Sequence, residues 1–167
     1  EDHTILTGLI EMRFIGGDAA LYRKLETAFQ KELGRIRPGD FAEIKLSERD
    51  ARHQKHGATR YMVEPNVKEG KGGLRDLHTL FWIAKLAYRA DSIIDIVDKG
   101  VLRETEARRF AAAQRFLWTV RCHLHLLAGR PEERLDFDAQ MSIAPRMGFA
   151  ARGGMRDVER FMKRYHL

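Results

Sequence analysis

The segment that decides the fold reads Glu64-Pro65-Asn66-Val67-Lys68-Glu69-Gly70-Lys71-Gly72-Gly73-Leu74-Arg75-Asp76-Leu77-His78. Three glycines in four residues let a backbone adopt positive φ and approach a ligand closely. Lys68, Lys71 and Arg75 place cationic donors around them. A helix that begins at or just after Gly73 adds free N–H groups and the positive end of its dipole. The segment therefore predicts an anion site, most simply a phosphate site, where an apolar helix begins.

The rest of the chain predicts helices on both sides of this segment. Apolar residues recur at helical spacing, and no stretch keeps a period of two. The two longest helices are expected over residues 74–90 and 104–128, the second ended by Gly129. Residues 57–73 form a long loop, a feature that is usually functional in a compact domain. We predict an all-α, bundle-like domain of about seven helices with a long glycine-rich loop.

Weaker signals bound the other helices. Asp18 is expected to cap a second helix, whose buried stripe includes Leu21, Leu25 and Phe29. The remaining predictions are a first helix over residues 4–14, a connection over 35–39, a third helix from Asp40 to about residue 56, a short helix capped by Asp91 or Ser92, another over 141–147 capped by Asp138, and a last helix with Val158, Phe161, Met162 and Tyr165 facing inward.

Composition narrows the class of partner. The 167-residue chain has a net charge of +6 and a pI near 9.7, which favour anionic partners such as nucleotides, nucleic acid or an acidic protein surface. Nucleic acid is the weakest of these, because the aromatic residues fall mainly on apolar stripes and leave few stacking platforms. The single cysteine, Cys122, suits a reducing cytoplasm, and no apolar run approaches a membrane span. A chain that starts without methionine and stops inside a predicted helix suggests a piece of a longer protein.

Other kinds of site fit less well. The loop is neither a Walker A motif, which needs Ser or Thr after the lysine, nor a dinucleotide fingerprint, which needs a βαβ unit. Cys122, His123 and His125 cannot converge on one metal ion from a regular helix, because residue 123 points about 100° away from the other two. His53 and His56 are expected to be solvated. His78 is the only histidine that we place near the site.

The carboxylates of this segment are expected to be salt-bridge partners. Glu64, Glu69 and Asp76 flank the lysines and the arginine, and such pairs are more often structural than catalytic. A purely structural alternative stays open, in which the loop is a glycine-rich start to a helix and its lysines are exposed to solvent without binding a ligand. Taken alone, the residues support a phosphate-binding helical module and nothing sharper.

A resemblance to a known family goes further. Residues 67–79 resemble the signature of the bacterial PII uridylyltransferase/uridylyl-removing enzymes, and further ordered resemblances lie in residues 9–18, 48–53, 61–65, 116–125, 134–138 and 158–162. The adenylyltransferase that modifies glutamine synthetase has a similar loop and is the nearest confusable relative. Asn66 is a departure, since some members of the family place Asp there.

The resemblance implies a division of the chain and a role. Residues 1–36 would be the last helices of a nucleotidyltransferase domain, and residues 37–167 the helical domain that follows it. Such enzymes transfer UMP from UTP to a tyrosine of the PII signalling protein with magnesium, and remove it again. The metal ligands, the HD hydrolase domain and the ACT domains would lie outside this chain, so we expect no catalytic or metal-binding residue here and no activity from this piece alone.

The resemblance also selects the site residues. Lys68, Lys71, Gly72, Gly73 and Arg75 are predicted to bind the phosphates of UTP, with Asp76 and His78 orienting them. The alternatives are a non-catalytic domain that docks PII or a neighbouring domain, and the helical domain of an adenylyltransferase-like enzyme.

Overall fold

A computed structural model describes residues 3–56, 59 and 61–167. These residues form eight helices: α1 (His3–Ile10), α2 (Ala19–Leu33), α3 (Pro38–His56), α4 (Leu74–Tyr88), α5 (Ile93–Asp98), α6 (Glu104–Ala128), α7 (Phe137–Arg146) and α8 (Asp157–His166). The described residues form no β-strand, and two isolated β-bridges join Asn66 to Arg134 and Arg152 to Met155. The all-α prediction is confirmed, with one helix more than the seven expected.

The larger core is built around α6. Its buried stripe packs against α7, α8 and the beginning of α4, and the members of this core are Val67, Leu74, Leu117, Val120, Leu124, Leu135, Ile143, Ala144 and Phe161. Val67 belongs to the glycine-rich segment itself and is fully buried. The segment is therefore anchored in the hydrophobic core at Val67 and again at Leu74. Val158, Met162 and Tyr165 pack on this core around the buried Phe161, as predicted for the last helix.

A second core joins the first four helices. Ile10 of α1, Phe29 of α2, Phe41 of α3 and Trp82 of α4 pack together in it. Lys45 is buried beside this core with its ammonium 5.8 Å from the ring centre of Phe41. Trp82 is thus the buried residue that α4 contributes to this second core.

The amino-terminal helices differ from the prediction. The first helix ends at Ile10 instead of residue 14, and Phe14 is exposed. Along α2, Phe29 is buried, but Leu21 and Leu25 of the predicted stripe are 66% and 48% exposed. Helical spacing defines an apolar face, but it does not say how much of that face another element covers.

Helix ends were predicted with mixed success. Asp18 caps α2, Ser92 forms a capping box at α5, and Gly129 ends α6 with φ 62°, all as expected. Two predicted starts were wrong. Pro38 begins α3, where its fixed φ and missing N–H are tolerated, so Asp40 lies within the first turn. Asp136 caps α7 in place of Asp138, since its side chain accepts from the Ala139 amide.

No described helix combines the length and the apolar character that crossing a bilayer requires.

Candidate functional site

The segment before α4 is pinned to residues 133–135. The Val67 amide donates to the Glu133 carbonyl at 2.8 Å, and the Leu135 amide donates to the Pro65 carbonyl at 2.9 Å. The Asn66 side chain then turns the chain, because its Oδ1 accepts from the Lys68 and Glu69 amides at 3.1 and 2.6 Å. Backbone pairing on one side and an Asx turn on the other thus fix how the following residues leave the core.

Gly70, Gly72 and Gly73 lie where the backbone of the segment folds back against itself. A Cβ on Gly70 would lie 2.5 Å from the Asn66 carbonyl oxygen, and one on Gly73 would lie 2.7 Å from the Val67 oxygen. Of these three glycines only Gly72 has positive φ, at 81°. The expectation that the glycines let the backbone approach a ligand is therefore corrected: Gly70 and Gly73 are small because the segment's own carbonyls occupy the space.

The amides at the start of α4 are already bonded. Gly73 donates to the Gly70 carbonyl at 2.9 Å, Leu74 to Val67 at 3.0 Å and Arg75 to Lys68 at 2.9 Å. The Gly72 amide donates to the Asp76 carboxylate at 2.8 Å. The free N–H groups expected here are thus satisfied inside the segment, so an anion at this place has to be held chiefly by side chains.

The cations of the segment surround one carboxylate. The Lys68 ammonium and the Arg75 guanidinium lie 3.6 and 3.5 Å from Glu69, and both side chains are 34% exposed. Lys71 is exposed. Arg52 Nε also lies 3.5 Å from Glu69. Residues 64–78 hold three cationic and three acidic side chains, so the segment is formally neutral, and Lys68, Lys71 and Arg75 are the cations that solvent, or a ligand, can reach.

Asp76 is held by two residues that the sequence did not assign to the site. Its carboxylate lies 2.6 Å from an Arg52 nitrogen and 2.8 Å from His53 Nε2, and all three side chains are at most 15% exposed. The prediction that His53 is solvated was wrong, as was the placement of His78 as the only histidine near the site. Nothing in the local pattern of α3 marks a partner in α4, although Arg52 and His53 lie near the carboxyl end of α3 that leads into the loop.

His78 lies in a cluster of aromatic and cationic groups. Its ring centre is 5.8 Å from that of Trp82 and 6.3 Å from that of Trp118. Arg75 lies over Trp82 and Arg121 over Trp118, 5.7 and 5.0 Å from the ring centres. Burial lowers the pKa of His78, and the nearby Arg75 and Arg121 add to this, while Glu11 opposes it. The imidazole is therefore held preferentially neutral and packs beside the cations of the segment.

Glu64 is paired, as the sequence predicted, and so is Glu133, for which no prediction was made. Glu64 forms an ion pair with Arg134 and accepts from the Phe137 amide at 3.2 Å. Glu133 is 2.6 Å from Arg121, and its hydrogen bonds raise the pKa of that guanidinium. These contacts tie the loop, the end of α6 and the start of α7 into one scaffold.

Magnesium does not fit this part of the protein. The carboxylates of Glu64, Glu69 and Asp76 each contact cationic side chains, which a metal ion would have to displace. Within the described ranges, no three histidine, cysteine or acidic side chains are grouped as metal ligands.

Fold and site together define a class, a helical domain in which a pinned glycine-rich loop presents cations at the start of a core helix. The chain belongs to the GlnD PII-uridylyltransferase family, which matches residues 40–167. It is 52% identical over 166 residues to each of three proteins named bifunctional uridylyltransferase/uridylyl-removing enzyme, from Bradyrhizobium sp. strains ORS 278 and BTAi1 and from Nitrobacter hamburgensis. Those matches cover 99% of this chain and 18% of each relative, so the chain spans about a fifth of their length. No solved structure gives a significant match.

Proposed function

We propose that this chain is a segment of a cytoplasmic bifunctional enzyme that transfers UMP from UTP to a tyrosine of the PII signalling protein and removes it hydrolytically. Family membership and 52% identity over 99% of the chain support the proposal. Because the chain spans 18% of those relatives, the activity belongs to a longer protein with nucleotidyltransferase, HD and ACT domains, and this segment alone is inactive. The division at residue 36 is part of the same proposal.

The role of the segment is to complete the phosphate part of the UTP pocket. One observation supports this role: a loop anchored in the core at Val67 and Leu74 carries Lys68, Lys71 and Arg75 at the surface, with Lys68 and Arg75 beside Glu69. Preorganised cations stabilise charge that develops on a leaving pyrophosphate without having to reorganise during the reaction. Gly72 and Gly73 belong to the pocket because they allow the backbone conformation of the loop. Asp76 and His78 orient the residues that bind the phosphates.

Magnesium supplies the charge neutralisation that phosphoryl chemistry requires when it is bound. We assign its ligands to parts of the protein outside this chain, because the carboxylates near the loop are engaged by arginine, lysine and histidine.

Docking of PII or of a neighbouring domain is the second candidate role. The observation that favours it is a group of exposed apolar side chains at the loop, which are Tyr61, Val63 and Phe137, each more than half exposed. Exposed apolar groups of this kind mark interaction surfaces. An adenylyltransferase-like identity is less favoured, because the relatives are named for uridylyl transfer.

The two roles are separated by single alanine substitutions in the full-length protein that carries this segment. Lys68→Ala, Lys71→Ala and Arg75→Ala should each lower kcat/KM for UTP by about tenfold or more, since a charge-assisted hydrogen bond contributes about 1.5–3 kcal/mol. Arg130→Ala is the matched control, because Arg130 is an exposed arginine paired with Glu132 on another loop. Unchanged UTP kinetics in all three variants would contradict the pocket, and loss of PII binding alone would favour docking.

A further inference from the structure

Glu69 lies among three cationic side chains. Its Oε1 is 3.6 Å from the Lys68 ammonium and 3.5 Å from an Arg75 nitrogen, and its Oε2 is 3.5 Å from Arg52 Nε. The side chains of Lys68 and Arg75 are each 34% exposed, whereas that of Arg52 is 14% exposed. Through one oxygen the carboxylate thus contacts two cations that a ligand can reach, and through the other it contacts a largely buried arginine.

The contacts of Glu69 are longer than the closest ion pairs around the site. Arg52 lies 2.6 Å from Asp76, and Arg121 lies 2.6 Å from Glu133. Charge-assisted N–H···O bonds are about 2.7–2.9 Å long, so separations of 3.5 and 3.6 Å leave an attraction between charges without a hydrogen bond of ordinary length. The carboxylate of Glu69 is therefore held less firmly than those of Asp76 and Glu133.

Arg52 has a donor that faces Glu69 and lacks a hydrogen bond. Its Nε is buried and has no hydrogen-bond partner within the described part of the chain, while another of its nitrogens donates to Asp76 at 2.6 Å. A buried donor without a partner carries a desolvation cost that a hydrogen bond removes. The separation from Glu69 Oε2 has to shorten by about 0.6 Å to reach ordinary hydrogen-bond length. Glu69 consequently has a second position available, closer to Arg52.

A phosphate group suits the two exposed cations better than this carboxylate does. Carboxylate and phosphate oxygens are both anionic acceptors, but a terminal phosphate brings three oxygens and a larger charge. From this arrangement, we infer that the Glu69 carboxylate occupies the place that a phosphate group of a nucleoside triphosphate takes, and that the phosphate displaces it toward Arg52.

The inference rests on the proposed function and deepens it, since Lys68 and Arg75 are the cations assigned there to the phosphates. The two cations keep their positions and exchange a carboxylate oxygen for a phosphate oxygen. Glu69 gains the hydrogen bond from Arg52 Nε, so Arg52 is a positioning residue that receives the displaced side chain. Glu69 is thereby a built-in competitor, which weakens phosphate binding and keeps the cations together before the ligand arrives.

Binding measurements on the full-length protein that carries this segment test the exchange. Titration calorimetry with UTP, inorganic tripolyphosphate and uridine compares the parent with Glu69→Gln, which removes the charge and keeps the size of the side chain. Glu69→Gln should bind UTP and tripolyphosphate about fivefold more tightly, because the two cations no longer have to leave a carboxylate, while uridine binding stays the same. Glu69→Ala should change the affinity in the same direction, and circular dichroism confirms that each variant folds.

Glu64→Gln is the matched control. Glu64 lies in the same segment with nearly the same side-chain exposure, 23% against 22%, but it pairs with Arg134 and accepts from the Phe137 amide. The change in net charge is equal in the two variants, so phosphate affinity should stay parent-like in Glu64→Gln. A double-mutant cycle adds Arg75→Ala to Glu69→Gln, and the gain should shrink there because one of the two exchanging cations is missing.

The outcomes separate this inference from the function on which it rests. Parent-like or weaker binding of UTP and tripolyphosphate in Glu69→Gln overturns the exchange. If Lys68→Ala and Arg75→Ala still weaken UTP binding in that case, the loop pocket stands without it. Parent-like UTP binding in Lys68→Ala and Arg75→Ala contradicts the proposed function and the exchange together, because the exchange needs those two cations. An equal gain in Glu64→Gln, or an undiminished gain beside Arg75→Ala, also overturns the inference.

Discussion

Asp76 of α4 and His53 of α3 are 23 residues apart in sequence, yet His53 Nε2 lies 2.8 Å from Asp76 Oδ2. The same carboxylate accepts from Arg52 at 2.6 Å and from the Gly72 amide at 2.8 Å. One side chain thus connects the end of α3, the start of α4 and the single loop glycine with positive φ. The position of the cationic loop consequently depends on a polar cluster behind it as well as on the core.

Asp76→Asn should destabilise the protein by about 2 kcal/mol, because it removes the nearer of the two carboxylates that contact the largely buried Arg52 and leaves only Glu69 at 3.5 Å. Urea unfolding of the variant and the parent measures the difference. Asp50→Asn is the matched control on α3, since Asp50 pairs with Arg49 at an exposed position and should cost less than about 1 kcal/mol. Equal losses in the two variants would show that the Asp76 cluster contributes no more than a surface ion pair.

Asn66 should tolerate aspartate and not alanine. Its Oδ1 accepts from the Lys68 and Glu69 amides, and an aspartate oxygen offers the same acceptor, whereas alanine leaves both amides without that partner. We expect Asn66→Ala to lose about 1–2 kcal/mol and Asn66→Asp to stay close to the parent in thermal unfolding. The turn therefore needs a side-chain oxygen at this position, and it needs no metal ion to explain one. An Asn66→Asp variant as unstable as Asn66→Ala would contradict the acceptor role.

Gly73→Ala should be costly although Gly73 has no positive φ. The added methyl group would lie 2.7 Å from the Val67 carbonyl oxygen and 2.9 Å from that of Gly70, so the loop would have to shift. Overpacking of this kind costs about 1–3 kcal/mol, which denaturant unfolding detects. Gly39→Ala is the control, because nothing lies within 4 Å of its added Cβ and alanine favours the helix. A Gly73→Ala variant as stable as Gly39→Ala would mean that the loop yields freely.

Sequence patterns predicted those features that depend on interactions within a few residues, such as helix caps and the apolar face of a helix. Side-chain and glycine caps at Asp18, Ser92 and Gly129 follow from hydrogen bonding and backbone freedom within a few residues. Helical periodicity also predicts an apolar stripe on α6 made of Phe110, Ala113, Leu117, Val120, Leu124 and Leu127. Leu117, Val120 and Leu124 are buried, whereas Ala113 and Leu127 are exposed.

Contacts between distant residues were not predictable in the same way. His53 looked like a solvated residue on a polar helix, because its partner Asp76 lies in another helix. The glycines of the loop looked ligand-facing, because sequence does not show that the carbonyls of Asn66 and Val67 already occupy the space beside Gly70 and Gly73.

The free energy of unfolding should fall in mild acid, because the folded protein partly buries His78 as a neutral imidazole. Burial lowers the pKa of His78 in the folded protein, so the unfolded chain takes up a proton at a higher pH than the folded chain. The stability that the neutral imidazole contributes is therefore complete above the unfolded pKa of about 6.5 and is lost as pH falls below it toward the folded pKa. Unfolding free energies measured from about pH 7.5 to 5.5 should fall less steeply in His78→Gln than in the parent. Trp118→Ala exposes the imidazole and should reduce the slope as well, whereas an unchanged slope in His78→Gln would show that His78 is not the group responsible.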